Sequence, residues 1–466
     1  MTQPPQLDGA LQELGHHLDR ADLVTVGLEQ TRATSLWNGA VLSVPAAVAR
    51  CHSVADVQLV ARVAQTYGLP LCVRGGGHDW SGSAFREGAL VADLAALRQL
   101  TVEGTTATIG GGVTATALTT AAERVGLVAV TGAVGSIGMA GLTLGGGYGP
   151  LTGVAGLAAD NLLAAQVVLA DGRVVNTDRD QEPELFWALR GGGGNFGVVT
   201  QMTVKLHRIS TVLAGTLIFP WTQARSVFLG CSDLQGESPD NLTTAFGVLS
   251  GPDGGPVAYV APTWAGDAHA GAEWIDRIER LGEPLVSQVS TIPYSAVLAA
   301  SDNLFPDGDH YEIQTRSFTE VSGAVADTLV SAGETRTSSR SVISFHDFHG
   351  AAERVPSDAT AFGMRQRHLA TLILAAWPAE DTRGDHHRAW ARDTSKALAV
   401  HALPGGYPNY LGTDELQQAD AAYGTNGERL TAAKHRYDPI NVFSSIPLPG
   451  NTEGAHRRPT PPTTRT

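Results

Sequence analysis

The stretch Val73-Arg-Gly-Gly-Gly-His-Asp-Trp-Ser-Gly-Ser-Ala84 sets an imidazole, His78, directly behind three glycines. Glycine costs backbone entropy, so such a run indicates that something large approaches the main chain. A neutral imidazole there either packs or acts as a nucleophile. Three further glycine runs follow: Gly110–Gly112, Gly145–Gly147 with Gly149, and Gly191–Gly194 with Gly197. Turns alone explain one such run more easily than four. No G-x-x-x-x-G-K-[ST] loop occurs, and no G-x-G-x-x-G stands cleanly between a strand and a helix with an acidic residue downstream. A pyrophosphate-bearing cofactor held by backbone N–H nests, which need no lysine, fits the runs. Tight turns in an irregular fold remain the alternative.

Other reactive groupings point elsewhere less well. His346-Asp-Phe-His349 does not put both histidines on one face of a strand, and Asp385-His-His387 reads as a solvated helix face, so no metal site is expected. No G-x-S-x-G nucleophile elbow occurs.

The glycine runs lie between elements of definite type. Ser53 can cap a helix with apolar positions Val57, Val60, Val63, Ala64 and Tyr67, which Gly68 stops before Pro70. Leu71-Cys-Val73 reads as a short buried strand feeding His78's loop. Thr114–Val125 is a second helix, and Ala165–Thr177 a hairpin with Asp171-Gly172 as its two-residue turn. Pro183 starts a short helix that the four-glycine run ends. From about residue 209 alternating runs (212–219, 256–264, 342–348 and 369–377) and amphipathic helices such as 270–281 predict an α+β unit with an antiparallel sheet covered by helices. The division expected is 1–208, 209–428, a return to the first part over 429–450, and a disordered Pro/Thr-rich tail over 451–466.

Composition narrows the class. The 466 residues allow sizeable cores, and 43% hydrophobic content without a long apolar run predicts no membrane span. A net charge of -14 argues against nucleic acid or an anionic membrane as partner. Three cysteines (Cys51, Cys72 and Cys231) make no disulfide framework, and the first residues lack a secretory pattern, so a cytoplasmic location is expected.

The motifs around His78, with Thr108-Ile-Gly-Gly-Gly112, Gly141-Leu-Thr-Leu-Gly-Gly-Gly-Tyr-Gly149, Glu184-Leu-Phe-Trp-Ala-Leu-Arg-Gly191, Tyr407-Pro-Asn-Tyr410 and Arg436-Tyr-Asp-Pro-Ile-Asn-Val-Phe443, resemble the berberine-bridge-enzyme-like flavoprotein oxidases along most of the chain. The resemblance implies a two-part PCMH-type FAD-binding domain, with His78 joined to the 8α-methyl of FAD. It implies cofactor contacts from Arg74, Gly75, Gly76, Gly77, Gly82, Ser83 and Ala84 at the pyrophosphate and ring edge. Thr143, Gly145, Gly146, Gly147, Asp160 and Asn161 would follow the adenosine and ribityl parts, with Val199 near the adenine. Gly132, Gly138, Gly141, Leu142, Asn409 and Asn441 complete the expected set. Many relatives add a second bond from a cysteine; that position is Val134 here, so a single bond is expected. Asp79 replaces a frequent serine, and Phe443-Ser-Ser-Ile-Pro-Leu-Pro449 replaces a family N-Q-N-I stretch.

For the reaction, the resemblance implies that Tyr410 takes the substrate's hydroxyl proton, that Asp347 assists it, and that hydride passes to the flavin. A tyrosine with a pKa near 10 needs a neighbouring acceptor to act as a base at neutral pH. Gly132 matches a position that controls oxygen access, and its lack of a side chain predicts an oxidase releasing hydrogen peroxide. The expected activity is oxidation of a small organic substrate such as an alcohol, in bacterial natural-product tailoring. An oxygenating or cyclising enzyme of the same family, and a flavin-binding protein without turnover, are the alternatives.

Overall fold

A computed structural model describes residues 5–25, 35–412 and 415–450; the tail expected to be disordered lies outside the described residues. Ser53 caps Val54–Tyr67: its hydroxyl accepts the Asp56 N–H, Asp56 accepts the Ser53 N–H, and Gly68 ends the helix at φ 62°. The buried stripe Val57, Val60, Ala61 and Ala64 packs on a four-stranded sheet in the order Leu23–Val24, Ala47–Arg50, Leu90–Asp93, Leu71–Arg74. The last three strands run parallel, and Leu71–Arg74 delivers the chain into the glycine run before His78. The C-terminal segment returns to this sheet, where the Leu71 N–H donates to the Val442 carbonyl at 3.3 Å.

A second, antiparallel sheet runs in the order Leu100–Glu103, Thr106–Gly110, Val198–His207, Leu162–Val168, Val174–Asp178. The expected hairpin is the pair Leu162–Val168 and Val174–Asp178, but its turn is longer than two residues. The Leu169 N–H bonds to the Arg173 carbonyl and the Gly172 N–H to the Leu169 carbonyl, leaving three residues in the loop with Gly172 at φ 79°. That is the three-residue hairpin geometry, in which the left-handed position selects glycine.

The third sheet has seven antiparallel strands in the order Val286–Ile292, Val212–Phe219, Pro256–Trp264, Leu242–Ser250, Val342–Phe348, His368–Trp377, His310–Phe318. One face packs on helices: Phe345, Ile373 and Trp377 join Val227 and Phe228 of Ala224–Glu237, Leu329 of Gly323–Glu334 and Trp390 of Gly384–Ala399. The other face carries Ile313, Leu372 and Leu374 and looks towards the loops that follow the first sheet. The architecture is α+β, with antiparallel sheets and covering helices. Among the described residues no helix is long and apolar enough to cross a membrane.

Candidate functional site

A cavity of about 300 Å³ separates the glycine loops from the third sheet. One wall is nearly bare backbone, from Gly75–Gly77, Gly193, Gly194 and Gly197, with Ser83, Ala84 and Val199 beside it. The loops depend on missing side chains: a Cβ on Gly76 would lie 2.4 Å from the Gly138 nitrogen, and one on Gly138 equally close to the Gly76 nitrogen. Gly77, at φ 73°, turns the chain so that His78 enters the cavity.

His78 is held from two sides. Its ring stacks on Trp37 with centroids 4.5 Å apart, and Trp37 stacks on Tyr311 of the third sheet at 3.7 Å. Its Nε2 lies 3.1 Å from Ser136 Oγ, in a loop whose Gly135 and Ser136 N–H groups both donate to Asp302. Burial pushes the imidazole pKa down to about 4, so the ring is neutral at physiological pH, the state a nucleophilic imidazole needs. Asp79 closes the loop from within, accepting the Ser81 and Ala84 N–H groups at 3.1 and 2.7 Å.

Of the residues expected at the cofactor, Arg74 to His78, Ser83, Ala84, Gly132, Gly138, Gly141, Leu142, Val199 and Asn409 line the cavity. Others do not, each for a visible reason. Both oxygens of Asp160 are taken by Arg365, at 2.9 and 2.7 Å, in a buried pair. Asn161 donates to the Ala155 and Leu157 carbonyls and meets His207. Gly145, Gly146 and Gly147 stand behind the wall, beside Thr143; a Cβ on Gly145 would strike Asn409, so the glycine makes room for that side chain. Gly82, at φ 86°, turns against Val41, and Asn441, at φ 54°, turns the chain after Asp438.

Tyr410 lines the cavity on a short 3-10 turn, Pro408–Tyr410. Its ring meets Tyr407 edge-on at 4.8 Å, and burial raises its phenol pKa. Tyr407 is itself fixed, its hydroxyl accepting the Gly147 N–H at 2.9 Å and the Asn409 amide at 2.9 Å. Asp347 corrects the sequence expectation. It shares a face with Phe345, as alternation requires, but that face is turned to the helices. Asp347 is 2% exposed, outside the cavity lining, with Oδ2 3.0 Å from His349 Nδ1. Burial presses the His349 pKa down, yet the Asp347 carboxylate outweighs it and raises the pKa overall.

The neighbour of opposite parity, His346, lines the cavity instead. Its Nε2 lies 3.3 Å from Ser344 Oγ, which accepts the Tyr259 hydroxyl at 2.6 Å. Burial brings the His346 pKa down to about 4 and pushes Tyr259 up to about 12, so the chain of three is neutral. A second relay starts at Tyr148, also on the cavity. Its hydroxyl lies 2.6 Å from His368 Nε2, while His368 Nδ1 donates to the Gln366 carbonyl at 2.7 Å. That bond fixes the tautomer, so Nε2 accepts and the Tyr148 hydroxyl donates. Sequence reasoning missed His346 and the partner of Tyr148, along with Trp37 and Ser136; only the alternation at Asp347 carried a signal for any of them.

The stretch Phe443–Ile446, where a family motif is absent, nevertheless lines the cavity. Asn195 fastens it, accepting the Ser445 N–H at 2.8 Å and donating to the Ile446 carbonyl at 3.0 Å. The buried Lys434 donates to the Asn195 and Phe443 carbonyls, at 2.8 and 2.6 Å, and to Asp438 at 2.5 Å. These features suit FAD. The glycine wall admits a large flat molecule, His78 is neutral, and the buried Arg74 Nε at the wall has no protein partner, leaving a donor for an anionic group.

Comparison with known proteins agrees. The profile of the "FAD binding domain" family matches residues 45–178, and that of the "Berberine and berberine like" family matches 406–446. The chain is 31% identical over 430 residues to (R)-6-hydroxynicotine oxidase of Paenarthrobacter nicotinovorans, covering 88% of this chain and 92% of that one. An FAD-linked oxidoreductase of Gibberella zeae is 30% identical over 420 residues, with 88% and 82% covered. Among solved structures, 6-hydroxy-D-nicotine oxidase of Arthrobacter nicotinovorans superposes with a TM-score of 0.83 at 29% identity, over 91% of this chain and 96% of that one. Glucooligosaccharide oxidase of Acremonium strictum, which carries a 6-S-cysteinyl, 8α-N1-histidyl FAD, shares the fold, with a TM-score of 0.82 at 20% identity over 95% of this chain and 98% of that one. With both family profiles matched in order and a relative aligned along most of its length, the chain belongs to the berberine-bridge-enzyme-like FAD-linked oxidoreductases.

Proposed function

We propose that the protein is a covalent flavin oxidase that removes a hydride from a small organic substrate and passes the electrons to oxygen, giving hydrogen peroxide, in natural-product tailoring. The observation carrying this reading is that His78 and Tyr410, from loops more than 300 residues apart, line one cavity otherwise walled by glycine backbone and an apolar sheet. Residues 1–208 with 429–450 hold the cofactor, and 209–428 provide the substrate wall. His78 alone makes the covalent bond, since Val134 stands where a second attachment would need a cysteine. Bound FAD supplies the two-electron acceptor.

The chain's own residues handle the proton. Burial keeps the Tyr410 phenol protonated at rest, so it can accept a substrate proton only while yielding its own. His346, and not Asp347, stands on the same cavity wall, as a neutral imidazole that would orient the reacting group rather than take its proton. The experiment is anaerobic flavin reduction by Tyr410→Phe, which keeps the ring and removes the hydroxyl. Loss of a general base costs about 10²–10⁴-fold in rate. Reduction should slow by that order with the flavin still attached, and a wild-type rate would remove Tyr410 from the chemistry.

A further inference from the structure

We infer that the substrate is an uncharged, predominantly apolar ring compound offering one hydrogen-bond acceptor, and that His346 is the residue that reads this acceptor. The inference rests on the oxidase reading above and specifies its substrate class. The substrate-side wall of the cavity is Ile313, Leu372 and Leu374 from the sheet, Phe305 and Trp80 at its margin, and Tyr410. Ile313 and Leu374 are directly opposite across paired strands, and Leu372 lies two residues from Leu374 on the same face, so the three form one apolar patch with Ser344 at its edge. Flat, rigid walls of this kind favour ring-shaped apolar ligands through contact area, with a few polar groups fixing orientation.

Charge on the wall is already committed. Among the described residues lining the cavity, the charged side chains are Arg74 and Asp79. Arg74 pairs with Asp93 at 3.1 Å and its remaining donor faces the glycine wall, while Asp79 caps its own loop. A carboxylate or phosphate on the substrate would enter the apolar half without a counter-ion, which is costly. A sugar would lose water from every hydroxyl against Leu372, Leu374 and Ile313, where no side chain can replace those hydrogen bonds.

The polar chain on the wall has a direction. Tyr259 donates to Ser344 Oγ, and among the described residues the other hydrogen-bond partner of that buried hydroxyl is His346 Nε2, so we assign the Ser344 proton to the bond with His346. With Nε2 accepting, the proton of the neutral imidazole belongs on Nδ1, making His346 a donor. A carbonyl, ether or ring-nitrogen lone pair is what such a donor recognises.

The test uses the flavinylated holoenzyme and three probes of similar or greater size: acetophenone, benzoate and cellobiose. Each is titrated while the oxidised flavin absorption is followed. Acetophenone should perturb the spectrum with an affinity at least about tenfold above the other two, as expected when a buried charge or several hydroxyls must lose water unpaired. His346→Leu should weaken acetophenone by between about twofold and tenfold, the worth of one neutral hydrogen bond, and leave styrene, which lacks the acceptor, unaffected. Tighter binding of benzoate or cellobiose overturns the assignment, as does equal loss of acetophenone and styrene in His346→Leu. Silence from all three probes, in protein whose flavin is bleached by dithionite and recovers in air, also overturns it while leaving the oxidase reading intact. Protein purified without flavin would instead sink that reading.

Discussion

Lys434 offers the most quantitative test of how the C-terminal segment is held. Lys434 is 9% exposed and its ammonium donates to Asp438, Asn195 and Phe443, and Asp438 is 2% exposed. The Asp438 carboxylate in turn accepts the Val442 and Phe443 N–H groups at 2.9 and 2.8 Å. Lys434→Met keeps the aliphatic stem but leaves that carboxylate buried without its cation, with two carbonyls short of a donor. Breaking one side of a buried pair costs about 3–5 kcal/mol. At about 1.4 kcal/mol per tenfold, the unfolding equilibrium shifts by roughly two to four orders of magnitude. Because Phe443–Ile446 line the cavity, the loss should appear at the flavin. Urea titration followed by flavin fluorescence should show a lowered midpoint, with tryptophan emission as a second probe of whether the parts unfold together. Adding Asp438→Asn removes the stranded charge, so the double variant should recover part of the loss, a coupling of about 0.5–3 kcal/mol. If Lys434→Met unfolds within about 0.5 kcal/mol of wild type, a range typical of unremarkable surface changes, the pair is not holding this segment.

Three further outcomes follow from the same geometry. His78→Ala should release its flavin on acid precipitation while the wild-type precipitate stays yellow, and peptide mass analysis should find flavin on His78 and nowhere else. A Cβ on Gly132 would lie 3.2 Å from Leu142 Cδ1 at the cavity wall, so Gly132→Val should slow reoxidation of reduced flavin by oxygen in stopped-flow measurements, while substrate reduction changes less. His368 is 1% exposed and its pKa falls to about 4 through burial, so the unfolded chain binds the proton first as pH drops below 6.5. Stability from this group is therefore complete above pH 6.5 and is lost towards pH 4, by about 3 kcal/mol at 1.4 kcal/mol per unit. His368→Gln should flatten that part of the pH–stability curve; His349, whose pKa is raised, acts with the opposite sign and stays in both proteins.

Much of the fold was legible because its signals are local. Ser53, Asp56 and Gly68 bound their helix through bonds made within a few residues, and Pro183 starts another for the same reason. The hairpin at Asp171 was legible in kind but not in length, since the left-handed glycine of a three-residue loop looks in sequence like half of a two-residue turn. The glycine runs show the limit on the site. Each signals a steric demand, but its source is tertiary: Gly75–Gly77 clear a wall of the cavity, whereas Gly145 clears space for the Asn409 side chain 264 positions later. Trp37 and Ser136 meet His78 from distant loops, with no local pattern to mark either one.

That His346 lines the cavity and Asp347 does not has a more specific cause. Alternation along Val342–Phe348 correctly separates Phe345 and Asp347 from Ser344 and His346. It assigns a face only when one side of the sheet is wet and the other dry. Here both sides are covered, by helices on one and by the cofactor-binding loops on the other. The adjacent strand His368–Trp377 is buried at all ten positions. Polarity therefore cannot tell the cavity side from the helix side, and Asp347 is expected at the cavity on the family resemblance. The partners show how each side chain is accommodated: Asp347 has the His349 imidazole beside it on the helix side, which makes its burial tolerable. His346 needs no counter-ion, because burial holds it neutral, and so it can stand on an apolar wall where an unpaired carboxylate could not.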